Sequence, residues 1–116
     1  FSIRDQVNKV QISESLERYI IELVYATRRP LEYKLNEHAH YIQFGASPRA
    51  SINLNLASKA LAYMEGRDYV LPEDIKEVAL DVMNHRILLN YEAEADNVTT
   101  TQIIETLLLK VPINKG

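Results

Sequence analysis

Apolar residues in this chain recur at intervals of three and four, and prolines break the pattern into separate runs. That period belongs to the α-helix, so each run can bury one stripe and must leave the opposite face to solvent or to a partner. Ser13 precedes the clearest run, Leu16, Tyr19, Ile20, Leu23, Val24 and Thr27, which ends at Arg28, Arg29 and Pro30. Serine is a favoured N-cap, cations suit the negative end of the helix dipole, and proline stops the helix. A second run starts at Ser47-Pro48, with Ser47 as the expected cap, and places Ile52, Leu56, Ala60, Leu61 and Met64 on one side, ending at Gly66. A third opens at Pro72 with Glu73 and Asp74 in its first turn and buries Ile75, Val78, Ala79, Val82 and Met83. Thr99 and Gln102 form a capping box ahead of Ile103, Ile104, Leu107, Leu108 and Val111, closed by Pro112. Val7 and Val10, with Ile3, suit two further turns near the N-terminus.

Between these runs lie two connections. Pro30–Phe44 has no comparable period and reads as a long link with a helical turn near Leu35–Ile42 and an extended tip at Tyr41–Gly45. Asn90–Val98 is polar and reads as a loop. Five helices with little strand signal give an all-α, bundle-like domain. At 116 residues one domain is the whole allowance. A chain of that size can bury roughly two thirds of its unfolded surface, enough for an independent core.

Composition excludes several function classes. The net charge of −3, with signs interspersed, suits neither a phosphate-backbone grip nor a stacking platform for nucleic acid. There is no cysteine, hence no disulfide or thiolate metal site, in keeping with a cytoplasmic protein. No apolar run reaches the ~18 residues that cross a membrane. Phe1-Ser2-Ile3-Arg4 lacks the features of a signal peptide and reads as a cut inside a longer chain.

No complete catalytic constellation appears, and no metal site is expected. His38-Ala39-His40 lacks a third ligand and reads as solvated loop, and His85-Arg86 suits the cation-favouring end of its helix. Asn97-Val98-Thr99 reads as a chance glycosylation sequon. Tyr19 and Tyr63 fall on or near apolar stripes and are expected in the core. One residue breaks a local rule. Arg49 sits in the first turn of its helix, where the dipole disfavours a cation by about 0.3–1 kcal/mol. No acid in Ser47-Pro48-Arg49-Ala50-Ser51 offsets it. Two readings stand: a guanidinium beside a free helix N-terminus makes an anion site, or Arg49 pairs with an acid from another helix.

Gly45-Ala46-Ser47-Pro48-Arg49-Ala50 resembles the sensor 2 motif of the MoxR family of AAA+ ATPases. Tyr19-Ile20 through Thr27-Arg28 is similar to that family's first lid helix. Ala60-Leu61-Ala62 followed by Gly66-Arg67-Asp68-Tyr69-Val70-Leu71-Pro72-Glu73-Asp74-Ile75 is similar to its helix–turn–helix signature, and His85-Arg86 to the pair that closes the next helix. The resemblance is collinear over residues 12–90. It departs at Leu71, where the family has threonine or serine, and in the longer Pro30–Phe44 connection.

The resemblance implies a helical AAA+ lid domain. Residues 1–11 would link it to an N-terminal ATPase core outside this sequence, 12–90 would be the lid proper, and 91–116 a loop and last helix. The core would carry the phosphate loop and the acids for magnesium. This chain would add the sensor 2 Arg49, with Ser47 and Gly45 at the nucleotide and Tyr19 in the adenine wall. ATP with Mg2+ would then be handled by the full-length ATPase, and this chain alone would bind no cofactor and be inactive. The whole protein would be a ring homo-oligomer, often a hexamer, acting as a chaperone for maturation or activation of other proteins, partnered by a von Willebrand factor A domain protein. The alternative is a free-standing helical protein–protein adaptor without nucleotide, binding through an exposed apolar face of the last helix.

Overall fold

The computed structural model describes residues 6–7, 9–33 and 39–113. Five α-helices are named among them: α1 (Glu14–Arg28), α2 (Arg49–Met64), α3 (Pro72–Asn84), α4 (Tyr91–Ala95) and α5 (Thr100–Lys110). The all-α class is as expected. Ser13 caps α1, its hydroxyl accepting the Leu16 amide at 3.2 Å. The Thr99–Gln102 capping box forms in both directions, at 3.1 and 3.2 Å. Gly66 takes a positive φ of 78°, the left-handed conformation that lets the chain leave α2 without Cβ strain.

α2 and α3 pack closely, joined by the short 65–71 turn, while α1 lies against α2, and α5 closes the core against α3 and α1. Leu23, Leu54, Ile75, Met83, Ile103, Ile104 and Leu107 are fully enclosed. The α2–α3 turn is fastened twice. Gln11 and Val70 exchange backbone bonds with this turn and the incoming chain, Gln11 N–H to Asp68 O and Val70 N–H to Gln11 O, both at 2.8 Å. Arg67 pairs with Asp74, which is only 4% exposed. The other Asp74 oxygen accepts the Leu71 amide at 2.8 Å, so one carboxylate caps α3 and neutralises the guanidinium. Leu71, the departure from the family pattern, caps nothing with its side chain, and Asp74 does that work from inside the helix.

Four expectations need correction. The stripe assigned to α2 is rotated: Ala50, Leu54, Ser58 and Ala62 are buried, whereas Ile52, Leu56 and Met64 are 59%, 45% and 80% exposed. Three of these four inner residues are small, which lets α2 sit close to its neighbours around the one large side chain, Leu54. Ser47 does not cap α2 with its hydroxyl. Pro48 is already right-handed helical (φ −56°, ψ −23°), and it is the Ser47 carbonyl that accepts the Ala50 amide at 2.9 Å. Tyr63 is exposed and not in the core. Asn90–Val98 is no plain loop: Asn90 caps α4 through the Ala93 amide at 3.1 Å, and the chain then turns at Asn97, φ 58°.

The 30–44 connection carries 3₁₀ turns at Pro30–Tyr33 and Ala39–Tyr41 and then β1 (Ile42–Phe44). β1 pairs antiparallel with β2 (Leu88–Leu89), Ile42 opposite Leu89 and Phe44 opposite Leu88. Tyr41 donates its hydroxyl to Asp96 at 2.6 Å. The link is thus sewn to the α3–α4 region. The extended tip is as expected. Leu35, His38 and Ile3 lie outside the described residues.

Candidate functional site

The segment that delivers Arg49 is shaped by the last turn of α1. Thr27 is 1% exposed, a polar residue on a core face. Its hydroxyl donates to the Val24 carbonyl at 2.6 Å and accepts the Ala46 amide at 2.9 Å. Gly45 lies so close that a Cβ there would meet the Thr27 carbonyl oxygen at 2.4 Å. Its missing side chain therefore serves contact with α1. Ala46 is fully enclosed, and the chain then emerges through Ser47 and Pro48 to Arg49, the first residue of α2.

Gly45→Ala is expected to destabilise the isolated chain by about 2 kcal/mol, because rigid backbone lies where the methyl would go. A thermal melt checks this; an unchanged midpoint would mean the approach to Thr27 is looser than described.

Arg49 is exposed, and among the described residues no acid stands within ion-pair distance of it. The first turn of α2 also carries no acidic residue and no side-chain cap. An exposed guanidinium with no acid beside it among the described residues, at the positive end of a helix dipole, fits an anion, phosphate above all. Arg49 shares the outward face of α2 with Ile52, Leu56 and Ala60, spaced by three and four. Grooves flank that face, one lined with Glu17 and Ile21 of α1, the other with Val82, His85 and Arg86.

The remaining candidates separate from this site. Tyr19 is 1% exposed, and its ring offers no surface to a ligand, contrary to an adenine-wall role. Its hydroxyl is enclosed without a partner among the described residues, and burial pushes its pKa up to about 12, so it stays protonated. Ser47 is exposed next to Arg49. The His40 ring lies against that of Tyr41 at a tilt of 39°, centroids 3.9 Å apart, with Glu92 at 4.0 Å. Among the described residues no three His, Asp or Glu side chains gather as metal ligands. His85 and Arg86 are exposed at the end of α3. The last helix buries Ile103, Ile104 and Leu107, which removes most of the face that an adaptor would use there. Thr27 is the positional feature that periodicity alone passed over. A threonine in a stripe of leucine, isoleucine and valine was its only signal.

Residues 35–107 match the family described as AAA lid domain, past residue 90 and through most of α5. The chain is 39% identical over 102 residues to Chaperone MoxR1 of Mycobacterium tuberculosis, covering 88% of this chain and 27% of that protein. It is 35% identical over 107 residues to Protein MoxR of Paracoccus denitrificans, covering 87% and 31%. A solved structure, a candidate ATPase of Cytophaga hutchinsonii, superposes with a TM-score of 0.95 at 66% identity, covering 97% of this chain and 34% of that one. The chain thus spans between about a quarter and a third of the length of these relatives.

Proposed function

The chain belongs to the AAA lid domain family, and from that membership we propose that it is the helical lid of a MoxR-type AAA+ ATPase, with Arg49 as its sensor 2 arginine. The observation that carries the reading is the exposed Arg49 at the head of α2, with no acid to neutralise it among the described residues.

The physics is that of phosphoryl transfer. ATP supplies the γ-phosphoryl group, whose spreading negative charge must be met by positive groups already in place. Arg49 meets it from the lid side, its planar fork matching phosphate oxygens. The Ala50 and Ser51 amides at the head of α2 already donate to the Ser47 and Pro48 carbonyls at 2.9 and 3.1 Å, so the guanidinium carries the contact, with Ser47 beside it. Gly45 contributes by letting the segment lie flat on α1. Since Arg49 is held by the lid and the phosphate by the core, their contact reports the angle between the two. Loss of the γ-phosphate releases it and frees the lid to rotate. The magnesium ligands and the phosphate loop belong to the core, so the lid alone has no means of turnover.

In this reading the protein is a cytoplasmic ring homo-oligomer. It works as a chaperone that matures or activates other proteins, with a von Willebrand factor A domain protein as its partner. The test is a parallel purification of the full-length protein and of the isolated 116-residue chain. Magnesium-dependent ATP turnover is expected in the first, and none above a contaminant control in the second. A full-length protein without turnover, or an isolated chain with it, overturns the proposal.

A further inference from the structure

The geometry points to Thr27 as a positioning residue for Arg49, an inference that rests on the sensor 2 reading above. Arg49 has no ion pair of its own to hold it among the described residues, so its place is set by the backbone that leads into α2. That backbone is tied at one buried side chain. The Thr27 hydroxyl has a single proton, which it gives to the Val24 carbonyl at 2.6 Å. This turns an oxygen lone pair outward to the Ala46 N–H at 2.9 Å. Both hydrogen bonds are buried, so no water competes for either partner. Gly45 adds a contact of the opposite kind: its bare Cα lies against the Thr27 carbonyl, where any Cβ would collide at 2.4 Å. One bond pulls residue 46 in and one steric wall stops residue 45, which fixes the distance and the direction of the segment relative to α1. Arg49 follows three residues later, past the stiff Pro48.

Thr27 never touches the anion. Its effect should appear as misplacement of Arg49 in the transition state, leaving substrate binding nearly intact. In the full-length ATPase, Thr27→Val keeps the shape and removes the hydroxyl. It is expected to lower kcat about tenfold, as a displacement of a charged group by a fraction of an ångström does, with KM within about twofold of wild type. Thr27→Ser restores the hydroxyl and should return kcat to near the wild-type rate. The deciding measurement is a double-mutant cycle. If Thr27 acts through Arg49, adding Thr27→Val to Arg49→Ala costs nothing further. If the valine variant does not fold, Thr27→Ala carries the same expectation, assayed below its melting temperature. A Thr27→Val loss that multiplies with that of Arg49→Ala overturns the inference, since Thr27 would then be acting on general stability. So does wild-type kcat in Thr27→Val while Arg49→Ala is impaired. Wild-type turnover in Arg49→Ala itself overturns the sensor 2 reading, and the inference with it.

Discussion

Replacing Arg49 by alanine in the full-length protein is expected, if Arg49 is the sensor 2 arginine proposed above, to lower ATP hydrolysis about a hundredfold while leaving the lid as stable as before. A preplaced electrostatic donor aimed at a transition-state oxyanion is worth about 3 kcal/mol, which corresponds to that factor in rate. Stability should be unaffected because Arg49 makes no ion pair among the described residues and stands exposed at the end of α2 where the dipole disfavours it. Its removal should leave the melting temperature unchanged or slightly raised. Arg49→Lys should recover only part of the rate, since a point charge lacks the bidentate fork. Steady-state turnover beside a thermal melt of the isolated chain separates the contributions. A variant that melts early yet hydrolyses ATP at the wild-type rate would make Arg49 a structural residue and end the sensor 2 reading.

The largest loss of stability is expected from Asp74→Ala. The carboxylate is 4% exposed and serves two groups, the Arg67 guanidinium and the Leu71 amide at 2.8 Å. Its removal leaves a partly enclosed cation unpaired and an amide at the head of α3 without a partner. Breaking such a pair costs about 3 kcal/mol, which in a domain of this size lowers the melting temperature by on the order of 10 °C. Asp74→Asn keeps an oxygen for the Leu71 amide and loses only the charge, so about half the effect is expected. Thermal melts of both variants in the isolated chain measure the difference. Equal midpoints for Asp74→Ala and wild type would show that the turn is held by the Gln11 and Val70 backbone bonds alone.

The parts of this structure that were legible in the sequence are those governed by neighbours along the chain. Ser13, Gly66, Pro72 and the Thr99–Gln102 box act within one turn of helix, and each does what its chemistry dictates. Arg49 could be singled out for the same reason, because a cation at a helix N-terminus is a local violation. The rotation of α2 was not legible. Ile52, Leu56 and Ala60 recur with helical spacing, and so do Ala50, Leu54, Ser58 and Ala62. Period alone cannot choose between two stripes on one helix, and hydrophobicity favoured the wrong one. The pairing of Ile42 with Leu89 joins residues far apart in the chain through strands too short to carry an alternating pattern. Helix α4 carried a local sign, Asn90 three residues before Ala93, beneath a polar composition that suggested loop. The Thr27–Ala46 bond depends on which two segments meet in space, and only tertiary structure brings them together.

The inner face of α2 has a mechanical meaning. With Ala50, Ser58 and Ala62 turned inward, the helix is keyed by volume, like a shaft whose flat side alone fits its seat. A half-turn about its axis would offer the branched side chains of Ile52 and Leu56 to a space that, apart from the seat of Leu54, is cut for methyl and hydroxymethyl groups. That alternative is closed by bulk, although it would hide more apolar surface. The rotational phase of the shaft decides which way everything on it points, including the guanidinium at its head. The direction of a charged group at one end of the helix is thus chosen by how little its opposite side occupies.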